Sequence, residues 1–181
     1  MKPLLTKSDT LEELSKNGGG KAKNLYLMTK EELPVPPWIC VSSDVFDSFK
    51  KSNKLDLSQI EGEDLATFSK RVEEIILGGK FDQSFIQELE NHLSNSNLTE
   101  GFVAVRSSGL DEDSKEHSFA GQFSSYLFQK GKDQILHSLK LCWASAYSER
   151  CLHYRFTNKL PMVGMAVGVV IQKMVNSEIS G

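Results

Sequence analysis

No run of eighteen apolar residues occurs anywhere in this 181-residue chain, so nothing in it reads as a transmembrane helix. The first thirty residues (MKPLLTKSDTLEELSKNGGG…) lack both the apolar core and the small-residue cleavage site of a secretory signal. Membrane and export classes are set aside, and a cytoplasmic location is expected. Cysteines are few: Cys40, Cys142 and Cys151 form an odd set without a CxxC pair or a histidine at metal-ligand spacing, so reduced thiols are the default. Lys and Arg are not clustered, and 24 acidic against 21 basic side chains give a net charge of −3. The electrostatic footprint of a nucleic-acid-binding domain is therefore missing. GxSxG, GxGxxG and HExxH are absent as well, and His92, His117, His137 and His153 show no paired spacing.

What is present is the composition of a globular protein, 39% hydrophobic and 25% charged, long enough for one domain or a pair of small lobes. Residues 1–100 carry 12 basic and 17 acidic groups and residues 101–181 carry 9 and 7, so an anion site is expected in the second half. The spacing predicts a short helix over 11–17 ended by Gly18-Gly19-Gly20, then a second helix from Lys21 that stops before Pro34-Val35-Pro36-Pro37. Trp38 to Val41 reads as a strand, and Ser43 or Asp44 as the N-cap of a helix burying Val45, Phe46 and Phe49. Helical spacing recurs through Leu65, Phe68, Val72, Ile75 and Ile76, and again through Phe81, Phe85, Ile86, Leu89 and Leu93, with Gly78-Gly79 as the break. Phe102 to Val105 is strand-like, and the aperiodic polar stretch 106–118 reads as a long loop. A short strand at 125–128 precedes one long helix from about Asp133 that carries Ile135, Leu139, Trp143, Ala146, Tyr147, Cys151 and Tyr154 on one face. Met165 to Ile171 is apolar on both faces, as a central strand would be. Because so little chain follows that strand, a fragment of a longer protein is expected, with an uncovered edge that could drive self-association.

Three segments could carry chemistry. Gly18-Gly19-Gly20-Lys21 before a helix offers backbone amides and an ammonium to a phosphate, although such a tetrapeptide alone is more often a flexible turn with a solvated lysine, and Ala22 rules out a Walker A loop. Arg106 directly follows an apolar strand, where it could grip phosphate oxygens in a bidentate way or pair with Asp111, Glu112 or Asp113. The hydroxyl-rich run from Ser118 to Ser125 could cover a triphosphate with backbone amides, or serve as a hairpin loop.

Taken together, GGGKAKNL with PVPPWICVS, VAVRSSGLDEDSKEHSFAGQFSSYL, CWASAYSERCLHYR and MAVGVVIQKMVNSEISG resemble a known family in order and spacing. It is the N-terminal nucleotide-binding domain of phosphoenolpyruvate synthase, pyruvate phosphate dikinase and rifampicin phosphotransferase. The resemblance spans about Gly18 to Gly181. It implies an α+β fold, the N-terminal portion of an ATP-grasp domain with a mixed sheet and flanking helices. Residues 1–100 would form a mainly helical lobe, and 101–181 a strand-loop-helix-strand portion carrying the phosphate-facing loop.

By the same resemblance, Lys21 and Arg106 would contact ATP phosphates, while Gly121 and Ser125 would sit in the loop that covers them. Gln172 would lie near the adenine hinge, close to the backbone of Met174 and Val175. The family usually has glycine where Ala22 or Lys23 stands, and a small-residue run where this chain has SGLDED. The implied parent is a phosphotransferase that passes the β-phosphoryl group of ATP through a histidine to pyruvate, releasing AMP and phosphate. Magnesium belongs to that intact enzyme, with no ligand assignable here. None of the four histidines lies in the motif of the catalytic one, so no catalytic residue is expected in this fragment, which by itself is expected to be inactive. A rifampicin-type antibiotic phosphotransferase with a different acceptor domain is the alternative. A non-catalytic nucleotide-binding or interaction module is the rival from another class.

Overall fold

The computed structural model describes residues 2–58, 61–110, 124–162 and 164–176. Among the described residues five strands form one sheet: β1 (Leu4–Leu5), β2 (Trp38–Val41), β3 (Val103–Gly109), β4 (Ser125–Gln129) and β5 (Val167–Lys173), in the order β1-β2-β5-β3-β4. The α+β class holds, and the sheet expected to be mixed is antiparallel in all four ladders. As its two-sided apolar pattern requires, β5 is the central strand. The expectation of an exposed last strand is overturned, because β2 and β3 flank β5 on both sides and the edges are β1 and β4. Strands from both halves of the sequence share this sheet.

Alternation along the strands divides the core in two. On one face, Ile39, Val41, Val103, Val105, Val167, Val169 and Ile171 meet Phe46, Phe68, Leu89, Trp143 and Tyr147 from the helices. Those helices are α3 (Ser43–Ser52), α4 (Leu65–Gly78), α5 (Gln83–Asn95), α6 (Lys132–Ser145) and α7 (Glu149–Thr157), numbered after α1 (Leu11–Glu13) and α2 (Gly19–Lys30). Burying a large side chain here stabilises by about 1.5–3 kcal/mol, and Trp143, stacked on Phe46 with centroids 4.8 Å apart, anchors the layer. On the opposite face a smaller cluster of Leu5, Leu14, Ala22, Leu25, Trp38, Cys40 and Val170 seats the N-terminal helical segment.

Local chemistry explains where elements begin and end. Thr10 and Glu13 form a reciprocal capping box that starts α1. The N-cap of α3 is Ser42, whose Oγ accepts from the Asp44 amide at 3.2 Å, one residue before the earlier of the two expected positions. The helix expected to run unbroken from Asp133 is two helices, since the chain turns at Ala146–Ser148 and Ser148 Oγ caps α7 through the Cys151 amide. Nor do the glycines simply separate two helices: α1 passes into a π-helical turn over Leu14–Gly18, and α2 begins at Gly19, two residues before Lys21. No helix among the described residues is long and apolar enough to cross a membrane.

Candidate nucleotide site

The helix start and the strand it lies on are locked together by small residues. A Cβ on Gly168 of β5 would lie 2.6 Å from the Gly18 carbonyl oxygen, so only glycine lets the π turn sit on the central strand. Gly19, at φ +77°, is pressed against Ser108 of β3, and a Cβ there would meet Ser108 Oγ at 2.7 Å. The fully buried Ser108 hydroxyl in turn accepts from the amides of Lys21 at 3.1 Å and Ala22 at 3.4 Å. A hydroxyl from a neighbouring strand thus acts as the N-cap of α2. The reading of these amides as donors waiting for a phosphate is corrected in part: the Lys21 amide is spent on Ser108, along with that of the following Ala22. What the GGGK segment presents is the half-buried Lys21 side chain.

Arg106 lies within β3 and not after it, because the strand continues through Ser107, Ser108 and Gly109; residues 111–118 of the expected loop lie outside the described residues. The polar residues obscured this extension. In a strand covered on both faces each serine hydroxyl must find a partner, and Ser107 donates to the Ser124 carbonyl at 2.8 Å while Ser108 holds α2.

Register then aligns the predicted residues. Arg106 pairs with Val170 on one side and Ser125 on the other, and Ala104 pairs with Gln172. Paired residues share a face, as do residues two apart along a strand. Arg106, Ser108, Ser125 and Gln172 therefore share the face on which α2 and Lys21 lie. Cross-strand partners are about 5 Å apart and diagonal ones about 7–8 Å, which puts Arg106 within reach of both Ser125 and Gln172. Lys21, Arg106 and Gln172 are partly buried, and Ser125 is exposed on the edge strand. β3, β4 and β5 bear no Asp or Glu, and Lys21 and Arg106 bring two basic side chains to this face.

Gly121 lies outside the described residues, as do Asp111, Glu112 and Asp113. Beyond Gln172 the Met174 amide is engaged, donating to the Phe102 carbonyl at 2.9 Å, while Val175 is exposed. On the other side of the sheet, burial pushes the Cys142 thiol up to about 12, against the smaller pull of a Ser107 backbone hydrogen bond and of Lys21. Among the described residues no group of three His, Cys, Asp or Glu side chains could hold a metal ion. Sequence reasoning missed Ser108; its position two residues after Arg106 would have found it only if the strand had been carried through the serines.

Comparison with known proteins identifies the family. The chain is 35% identical over 173 residues to a rifampicin phosphotransferase of Bacillus cereus, covering 90% of this chain and 20% of that protein. It is 33% identical to the phosphoenolpyruvate synthase of Pyrococcus furiosus and also 33% identical to an uncharacterized phosphotransferase of Bacillus subtilis, covering 94% of this chain each time. The chain spans 27% and 19% of the length of those two relatives, respectively. Residues 16–181 match the model of the pyruvate phosphate dikinase AMP/ATP-binding domain. The glycine-packed helix start and the two basic side chains beside it thus lie in a chain that belongs to the pyruvate phosphate dikinase AMP/ATP-binding domain family.

Proposed function

We propose that residues 1–181 form part of an ATP-grasp nucleotide-binding domain and build the phosphate-facing half of its ATP site. The parent would be a dikinase of the phosphoenolpyruvate synthase type. One observation supports this above all: strand register and the Ser108 cap gather Lys21, Arg106, Ser125 and Gln172 on a single face of the sheet. In this reading Lys21 and Arg106 neutralise phosphate oxygens, Arg106 with its bidentate fork. Ser125, together with Gly121, belongs to the segment covering the phosphates, and Gln172 faces the adenine end.

Phosphoryl transfer rests chiefly on positioning and on cations fixed in advance, which a rigid sheet supplies. Two of the relatives are named a phosphoenolpyruvate synthase and a rifampicin phosphotransferase. Passage of the β-phosphoryl group through a histidine to pyruvate, with release of AMP and phosphate, is proposed for the whole protein and not for this chain. The described residues supply no magnesium set, so no step is assigned to that ion.

Calorimetric titration of the purified chain with ATP tests the site. Saturable binding is expected, weakened about tenfold by Lys21→Ala and by Arg106→Ala separately, each a loss of ~1.4 kcal/mol. Unchanged affinity in the double variant, or no saturable binding by a well-folded wild-type chain, overturns the assignment.

A further inference from the structure

We propose that Ser108 is the positioning residue for Lys21, holding the lysine at the phosphate end of the site by capping α2 from the neighbouring strand. The inference rests on the ATP reading given above. Lys21 stands at the third position of α2, where backbone amides have no partner within their own helix. No side chain at the start of α2 caps it, because Gly18, Gly19 and Gly20 have none to offer. Ser108 fills that role from β3, accepting from both the Lys21 and the Ala22 amide. Gly19 and Gly168 make the approach possible, since a Cβ on either would collide with backbone. Arg106 lies two residues before Ser108 on the same strand and face. One short stretch of β3 therefore fixes both cations: Arg106 through its own backbone, and Lys21 through the Ser108 hydroxyl. Without the cap the first turn of α2 frays and the ammonium loses its fixed distance from Arg106.

A double-variant cycle on this chain separates positioning from bulk stability, with ATP as the probe. Ser108→Ala is expected to weaken ATP binding about fivefold, and Ser108→Thr, which keeps the acceptor oxygen, to recover most of that loss. In a Lys21→Ala background, Ser108→Ala should cost no further affinity, while its drop in melting temperature should be the same in both backgrounds. Ser138→Ala is the control. It removes a buried hydroxyl that donates to Gln129 at 2.9 Å on the far face, and it should lower stability without moving ATP affinity. Equal affinity losses from Ser108→Ala with and without Lys21 overturn the positioning role, as does unaltered affinity in Ser108→Ala. If Lys21→Ala itself leaves ATP binding intact, the phosphate role of Lys21 fails and this inference fails with it, while the ATP reading falls only if the Lys21, Arg106 double variant also binds unchanged. A loss on Lys21→Ala without one on Ser108→Ala defeats only the positioning role.

Discussion

Gly19 and Ser108 are packed so closely, helix start against strand end, that no side chain fits between them: a Cβ on Gly19 would lie 2.7 Å from Ser108 Oγ and nearer still to its carbonyl oxygen. With φ at +77°, alanine at this position is strained by conformation as well as by space. Gly19→Ala is expected to lower the unfolding free energy by about 2–4 kcal/mol, as measured by urea denaturation. Gly78 is the opposite case, lying at the end of α4 with nothing within 4 Å of its would-be Cβ. There alanine should stabilise by about 0.5 kcal/mol. Equal effects at the two positions would contradict the packing argument.

If Arg106 serves the phosphates and Gln172 the base, ligand chemistry should separate them. Arg106→Ala is expected to weaken ATP and inorganic triphosphate alike, by about tenfold, whereas Gln172→Ala should weaken ATP about threefold and leave triphosphate unchanged. Competition calorimetry with the two ligands reads the difference. A Gln172 variant that loses triphosphate binding would move that residue to the phosphate end.

Burial pushes the Cys40 and Cys142 thiols up to about 12, and raises Cys151 as well. Unfolded thiols titrate near ~8.5. With the folded value raised, the stabilisation is fully present below about pH 8.5 and is lost as pH climbs toward 12, because the unfolded chain gives up protons that the folded one keeps. The guanidinium midpoint should therefore fall between pH 8 and pH 10. At pH 8 a disulfide-exchange reagent should find no reactive thiol in the native chain and three after unfolding. A fast-reacting native thiol would refute this.

Trp143 lies 5.1 Å from Phe49 and 5.5 Å from Phe81, and stacks on Phe46. Its buried Nε1 has no hydrogen-bond partner among the described residues. Trp143→Ala should cost about 3–5 kcal/mol by cavity formation. Trp143→Phe should cost about half as much, since it empties less space and removes the unsatisfied donor. Denaturation curves decide, and an alanine variant within 1 kcal/mol of wild type would show that the layer repacks freely.

Much of the fold was legible because its signals are periodic. The Phe68–Val72–Ile76 and Phe85–Leu89–Leu93 stripes are the buried faces of α4 and α5, and the unbroken apolar run at β5 marks the middle of the sheet. Hidden were features set by partners distant in sequence. Arg106, Ser107 and Ser108 look like loop until Val170, Val169 and Gly168 are laid beside them as a ladder. Likewise, the GGGK amides look bare until Ser108, 87 residues away from Lys21, accepts from one of them. Ala146 and Tyr147 keep the helical apolar period while the chain turns, so the end of α6 was invisible to periodicity. The candidate cations were legible as residues, whereas their common face was not, since it depends on register.

The central position of β5 also governs how the chain must fold. Before that strand arrives, β1 with β2 and β3 with β4 are two separate antiparallel pairs, and a two-stranded ribbon is marginal on its own. β5 joins them through contacts as distant in sequence as Cys40 with Val170. Closing such long loops delays assembly. During synthesis, therefore, β2 and β3 present unpaired edges until β5 has left the ribosome, and unpaired edges of this kind are prone to aggregation.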